Sequence, residues 1–251
     1  MIVLRILING LIMAGELAAV AGVAAFGYHH PFLFAGATVA LSLALGLRLE
    51  VARLRYELPF YFGGLVRPSA LLTALVGLLE AAFKGVLAGV AALFTFAGTD
   101  RDRLFWVAVL FAVCIYLGAG LLRVLSLKAD ALPMRWGYFR LAPPLGLLFS
   151  SGLALLGAAA VLPSTSVPDI GWRILFDMPA RPSVEQVSEL LFQLKQAFDD
   201  FIVTVLSAVL DRQWARLAGI VISVNVLSGF VSALYASLIA AGVRASEDAL
   251  L

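Results

Sequence analysis

Glu80 and Lys84 stand four residues apart inside an apolar stretch, 69–97, long enough to cross a bilayer. With the acid on the N-terminal side, this is the favourable order for an ion pair on one helix face. Glu16 lies near the middle of another apolar stretch, among Gly15, Ala18, Ala19 and Gly22, small residues that permit close helix approach. An uncompensated charge at such depth costs about 2.5 kcal/mol or more. The three are therefore expected to meet as a Glu16–Lys84–Glu80 cluster. That trio is negative in excess, which would draw in a proton, a cation or a donor such as Asn225.

Asn225, Ser228, Ser232 and Tyr235 form a second polar pattern at helical spacing, and Ser150 and Ser151 could face it. Such a stripe either lines a polar path or glues helices together, at about 0.6 kcal/mol for each hydrogen bond. Adhesion is the commoner role. His29 and His30 are adjacent, so their side chains diverge, and no cysteine or acid stands near them. A turn at the membrane surface fits them better than a metal site. Cys114 is the only cysteine, which excludes an internal disulfide and a thiolate cluster within the chain. No phosphate-binding GxxxxGK[ST], HExxH or GxSxG with partners in reach occurs. The sequence assigns no catalytic residue, cofactor or metal.

The elements that must position these residues follow from composition. The chain is 62% hydrophobic and only 14% charged, with a mean hydropathy of +1.00; soluble domains carry about a quarter charged residues. This places it in the integral-membrane class, all-α, because the short alternating segments of a β-barrel are absent. A single membrane domain is predicted, with six spans at about 6–28, 32–47, 69–97, 104–122, 144–162 and 217–243. The span 69–97 is expected at the centre of the bundle. Its small-residue face, Thr73, Gly77, Ala88, Ala91 and Thr95, would meet the first and sixth spans, and Leu75, Leu79, Phe83, Val86 and Val90 would face lipid.

Beyond the second span, Leu47, Val51, Leu54 and Leu58 alternate with Arg48, Glu50, Arg53, Arg55 and Glu57. This pattern predicts an amphipathic extension lying at the interface, ended by Pro59 and the Gly63-Gly64 pair. The connection 163–216 is expected outside the cytoplasm. A proline-rich irregular part comes first; then Ser183 and Gln186 form a capping box that starts an amphipathic helix. The stretch 187–210 is interfacial or re-entrant; as a seventh span it would put Lys195, Asp199 and Asp200 into lipid.

Basic residues set the orientation. Arg5, Arg48, Arg53, Arg55, Arg67, Arg123, Lys128, Arg135, Arg140 and Arg244 share one side, against Arg101, Arg103, Arg173, Arg181, Lys195, Arg212 and Arg216. The short connections decide, with eight basic residues in the second and fourth against two in the first and third. Both termini are therefore expected in the cytoplasm. The basic faces in 48–55 and 123–140 would meet anionic headgroups; neither is dense enough for nucleic acid. Alanine- and leucine-rich spans with short loops suggest a bacterial inner membrane. Two functions fit. One is transport-like, with the charge cluster coupling or conducting a proton, ion or small solute. The other is a non-catalytic accessory subunit of a larger envelope complex. The lipid bilayer is the expected partner, with a homo-oligomer or membrane complex beyond it.

Overall fold

The computed structural model describes residues 2–61, 69–98, 100–159 and 182–250, and every regular element among them is helical. Four long helices come first: α1 (Ile2–His29), α2 (Pro31–Tyr61), α3 (Ala70–Thr95) and α4 (Arg101–Ala129). A short α5 (Pro133–Trp136) runs through a π turn, Gly137–Leu141, into α6 (Ala142–Ala158). After that come α7 (Val184–Ser207), α8 (Arg212–Ile222), a 3-10 turn (Val224–Leu227) and α9 (Ser228–Leu250). Six stretches are long and apolar enough to cross a membrane: Val3–His29, Pro31–Tyr61, Ala70–Thr95, Arg101–Ala129, Pro133–Gly157 and Gln213–Leu250. This is the make-up of a polytopic membrane bundle; α7 is not among the six.

Local chemistry explains the boundaries. Pro31 needs no amide partner in a first turn, so α2 starts one residue after α1 stops, leaving only His30 between them. Ser69 Oγ accepts from the Leu72 amide at 3.2 Å, and the Asp100 carboxylate accepts from the Asp102 amide at 3.1 Å. The capping box of α7 forms in full: Ser183 Oγ accepts from the Gln186 amide, and Gln186 Oε1 from the Ser183 amide. The α4 helix closes on Asp130 in the left-handed region, with φ 48°.

Four expectations are corrected. The helical extension expected beyond residue 47 is present, but it is not a separate surface element ended by Pro59; it is the same helix, which continues through Pro59 to Tyr61. It stays part of the bundle because α3 packs along its length, with Val51, Leu43 and Val39 against Gly77, Gly85 and Gly89. The fifth span starts at Pro133, well before residue 144. Pro143 and Pro144 lack the amides that would bond Phe139 and Arg140, and the π turn just ahead of them absorbs the mismatch. The centre of the bundle is α9, which packs on α1, α3, α4 and α6, whereas α3 pairs chiefly with α2. The sixth apolar run is broken at Ser223, whose backbone is extended at φ −52° and ψ 143°. The Gly63-Gly64 pair, and the residues 160–181 that hold most of the proline-rich part, lie outside the described residues.

The core is aromatic. Phe34, Phe96, Phe111 and Phe149 are fully buried and meet edge to face, with centroids 5.2 to 6.4 Å apart. Tyr235 stacks on Phe34 at 5.3 Å. This cluster ties α2, α3, α4, α6 and α9 together. The small-residue face of α3 is buried, and Leu75, Leu79, Phe83, Val86 and Val90 are exposed on the outer surface. The α7 and α8 helices form an antiparallel hairpin, Val203 against Gly219, with an exposed apolar flank that includes Phe201, Val205, Val209 and Trp214.

Candidate functional site

The bundle has two polar ends. At the near end α2 finishes, α3 begins, and α4 and α9 finish. There Glu50 is 0% exposed, although its neighbours in sequence suggest a solvated face. Lys84 Nζ donates to Glu50 Oε1, and Arg53 Nη1 lies 3.2 Å from Glu50 Oε2. Arg53 also pairs with Glu57 at 3.1 Å and with Glu80 at 2.5 Å. The Glu80–Lys84 pair expected along α3 is thus exchanged for two pairs across the α2–α3 interface. Rings from the π turn cover the cations. Lys84 Nζ lies 5.3 and 5.1 Å from the Tyr138 and Phe139 centroids, and Arg53 sits 5.3 Å over Phe139. Three carboxylates face two cations, so the negative excess expected of the cluster persists with other members.

Glu16 does not join them. It is buried against α4, 3.7 Å from Arg123 Nη1, and Arg123 Nη2 donates to Glu247 on α9. This second near-end cluster uses a residue that looks, in sequence, like one of several orientation-setting arginines. The predicted Glu16–Lys84–Glu80 trio is therefore two separate groups: α9 and α4 stand where the trio would require α3 to meet α1.

At the far end, α7 crosses the end of α3 and the start of α4. Ser188 Oγ bonds the Gly98 amide at 2.9 Å, and the Arg103 guanidinium lies 3.9 Å over the Phe192 ring. Lys195 is buried, and its Nζ donates to the Phe94 carbonyl at 3.1 Å, near the C-terminal end of α3 where a cation is favoured. Burial pushes the Lys195 amine down to about 8; Arg103 adds to that effect and Asp199 opposes it.

One turn further along α7, Asp199 caps the break in the sixth span. Its carboxylate accepts from Ser223 Oγ at 2.9 Å, the Val224 amide at 3.0 Å and Asn225 Nδ2 at 3.2 Å. Broken backbone at membrane depth survives only where protein re-satisfies it, and Ser150 Oγ does so again by donating to the Ile220 carbonyl at 2.7 Å. α6 reaches the break because Gly146 and Gly229 bring two backbones into contact; a Cβ on either would meet main-chain atoms.

Between the two ends runs a line of buried hydroxyls. The predicted stripe on α9 supplies Ser228, Ser232 and Tyr235, while Asn225 belongs to the break. Thr95 Oγ1 lies 2.7 Å from Ser228 Oγ, Ser232 Oγ donates to the Ser228 carbonyl, and Tyr235 Oη lies 3.0 Å from Thr38 Oγ1. On α2 the line continues at intervals of four through Thr38, Ser42, Gly46 and Glu50, all buried. Tyr138 closes it, its hydroxyl beside Ser42 and over Gly46. Sequence inspection singled out neither this α2 face nor Asp199. The signal was present: a polar or small residue at every fourth position within an otherwise large-apolar helix. Among the described residues no group of three or more His, Cys, Asp and Glu side chains could hold a metal ion. No family model, curated protein or solved structure matches the chain, so the geometry carries the functional argument alone.

Proposed function

We propose that the protein conducts protons across the membrane, between the Glu50 cluster and Asp199, along the hydroxyl line. One observation carries this reading. Three buried polar atoms of the line have no hydrogen-bonding protein partner: Asn225 Oδ1 at one end, and Ser42 Oγ and Tyr138 Oη at the other, where Glu50 Oε2 has only Arg53 Nη1, at 3.2 Å. Buried polar atoms in native proteins are satisfied almost without exception, by water where not by protein. Along the helices Ser228, Ser232 and Tyr235, and Thr38 and Ser42, follow one another at about one helical turn, roughly 5.4 Å, the right length for one bridging water, and the Tyr138 hydroxyl over Gly46 stands in the two-turn gap between Ser42 and Glu50. A hydroxyl both donates and accepts, so it passes a proton without holding charge. The excess carboxylate near Glu50 is the group that would take the proton up.

In this reading both termini face the cytoplasm of a bacterium and the protein sits in its inner membrane. The near-end connections carry Arg48, Arg55, Arg123, Lys128, Arg135 and Arg140, whereas the short far-end connection between α3 and α4 carries Arg101 and Arg103. The test is proton flux in proteoliposomes under an imposed potential. Flux above that of empty vesicles is expected, with loss on Glu50→Gln and on Tyr138→Phe. Wild-type vesicles no leakier than empty ones would overturn it. A second reading, a non-catalytic subunit of a larger envelope complex, draws on the hairpin flank, where Phe201 is 63% and Val209 84% exposed. It predicts a stoichiometric partner on purification in mild detergent.

A further inference from the structure

We infer that the near end carries a discrete binding site for one anionic phospholipid, in a groove between α2 and α5. The groove encloses about 670 Å³. It brings Arg48 and Arg55, just under two turns apart on α2, together with Arg135, eighty residues further along the chain. None of the three has an acidic partner among the described residues, although Arg53, Arg123 and Arg244 at the same end are all paired. Three exposed arginines lining one groove, without a counter-charge among the described residues, call for an anion from outside the chain, and a guanidinium fork matches phosphate oxygens.

The level and the walls argue for a lipid as the source of that phosphate. Arg48 lies seventeen residues into α2 from Pro31, about 26 Å along the helix, close to the full hydrocarbon thickness of about 30 Å. The guanidiniums therefore sit where headgroups begin. Below and between them the groove is walled by Leu45, Leu49, Leu132 and Met134, which suits acyl chains and offers nothing to a free inorganic ion. Tyr56, Phe60 and Trp136 are exposed at this end, as aromatic side chains commonly are at the headgroup level. The charge stripe that sequence suggests as a diffuse headgroup-facing surface is, in the fold, a single concave site built from two helices.

Titration of the delipidated full chain in mild detergent, followed by native mass spectrometry, tests this. Phosphatidylglycerol is expected to add first as a single adduct, ahead of phosphatidylcholine of the same acyl chains. Arg48→Gln/Arg55→Gln/Arg135→Gln should weaken that first adduct about a hundred-fold, from about five-fold for each of the three arginines near a headgroup. Arg140→Gln, on an exposed arginine outside the groove, should leave it unchanged, and millimolar inorganic phosphate should not displace the lipid. Equal loss in the Arg140→Gln variant would mean surface charge alone, and displacement by phosphate would mean a free-anion site; either overturns the proposal. Thermal midpoints of the variants confirm that they are folded. If the triple variant fails to fold, the single Arg135→Gln change, expected to weaken binding about five-fold, takes its place.

Discussion

The two polar ends hold carboxylates inside an apolar bundle by opposite means. Glu50 is neutralised by charge: a lysine and an arginine reach it from α3 and from its own helix. Asp199 is neutralised by geometry: a hydroxyl, an amide and a carboxamide point at it because the sixth span breaks there. The first arrangement needs two antiparallel helices to face each other with matching charges. The second needs no second charge, but it makes the helix break and the carboxylate depend on each other. The near end should therefore fail when a charge is removed, and the far end when a hydrogen-bond acceptor is removed.

The sharpest way to break the near end is Lys84→Met. It leaves Glu50, which has no exposure to solvent, with Arg53 as its only cation, and Arg53 is shared with Glu57 and Glu80. Removing one member of a buried ion pair costs about 3–5 kcal/mol; Lys84 is 27% exposed, so the lower part of that range is expected as a fall in thermal stability in detergent. Adding Glu50→Met should restore much of the loss, because an apolar pair replaces a buried ionic one at little net cost. A double variant as unstable as the single would show that Glu50 is not the group Lys84 serves.

At the far end, Asp199→Leu removes the acceptor of three hydrogen bonds at once. Bonds to a charged group are worth about 1.5–3 kcal/mol each and do not sum, and Asp199 is half-buried, so about 2–3 kcal/mol of destabilisation is expected. Hydrogen exchange should localise the change to the Ser223–Leu227 segment. Asp199→Asn should recover part of it, since its carbonyl oxygen still accepts. That rescue has no parallel at Glu50, where Glu50→Gln leaves two cations facing an amide.

The ends also differ in pH response. Lys195 holds α7 against Phe94 with a folded-state pKa of about 8, against 10.5 ordinarily. Below about pH 8 both folded and unfolded chains keep the proton, and the folded state bears the cost of a buried ammonium. Between the two values only the unfolded chain stays charged, so stability rises with pH. Arg103 and Asp199 face the same amine with opposite signs and partly cancel. Melting from about pH 7 to about pH 10 should show this rise, flattened in Lys195→Met. A fall in stability across that window in wild type, with the same fall in Lys195→Met, would mean other groups govern it.

What was legible before the structure tracks how local each determinant is. The six helices long and apolar enough to span, the capping box at Ser183, the exposed apolar face of α3 and the stripe Ser228–Ser232–Tyr235 depend on residues within one helix. The identity of each ion-pair partner does not. Glu50 sits amid Arg48, Arg53, Arg55 and Glu57, and in one dimension that is the pattern of a solvated interfacial face. Only the antiparallel docking of α2 on α3 turns Glu50 inward and brings Lys84 to it. The break at Ser223 has no glycine or proline within three residues to announce it, because its cause is Asp199, supplied from a different helix.

The smallest expected change in stability separates architecture from conduction most cleanly. Tyr235→Phe keeps the ring that stacks on Phe34 and deletes only the hydroxyl bonded to Thr38. Thr38 still donates to the Phe34 carbonyl at 2.7 Å, so no buried donor is orphaned. An interhelical hydrogen bond of this kind contributes about 0.6 kcal/mol, and the thermal midpoint should barely move. If the hydroxyl line carries protons, this hydroxyl is, among the described residues, the link between the stripe on α9 and the line on α2. Flux should then fall far out of proportion to the stability change, and Thr38→Val should act in the same direction. Flux unchanged in a folded Tyr235→Phe protein would reduce the line to helix adhesion and leave the charged ends as two unconnected clamps.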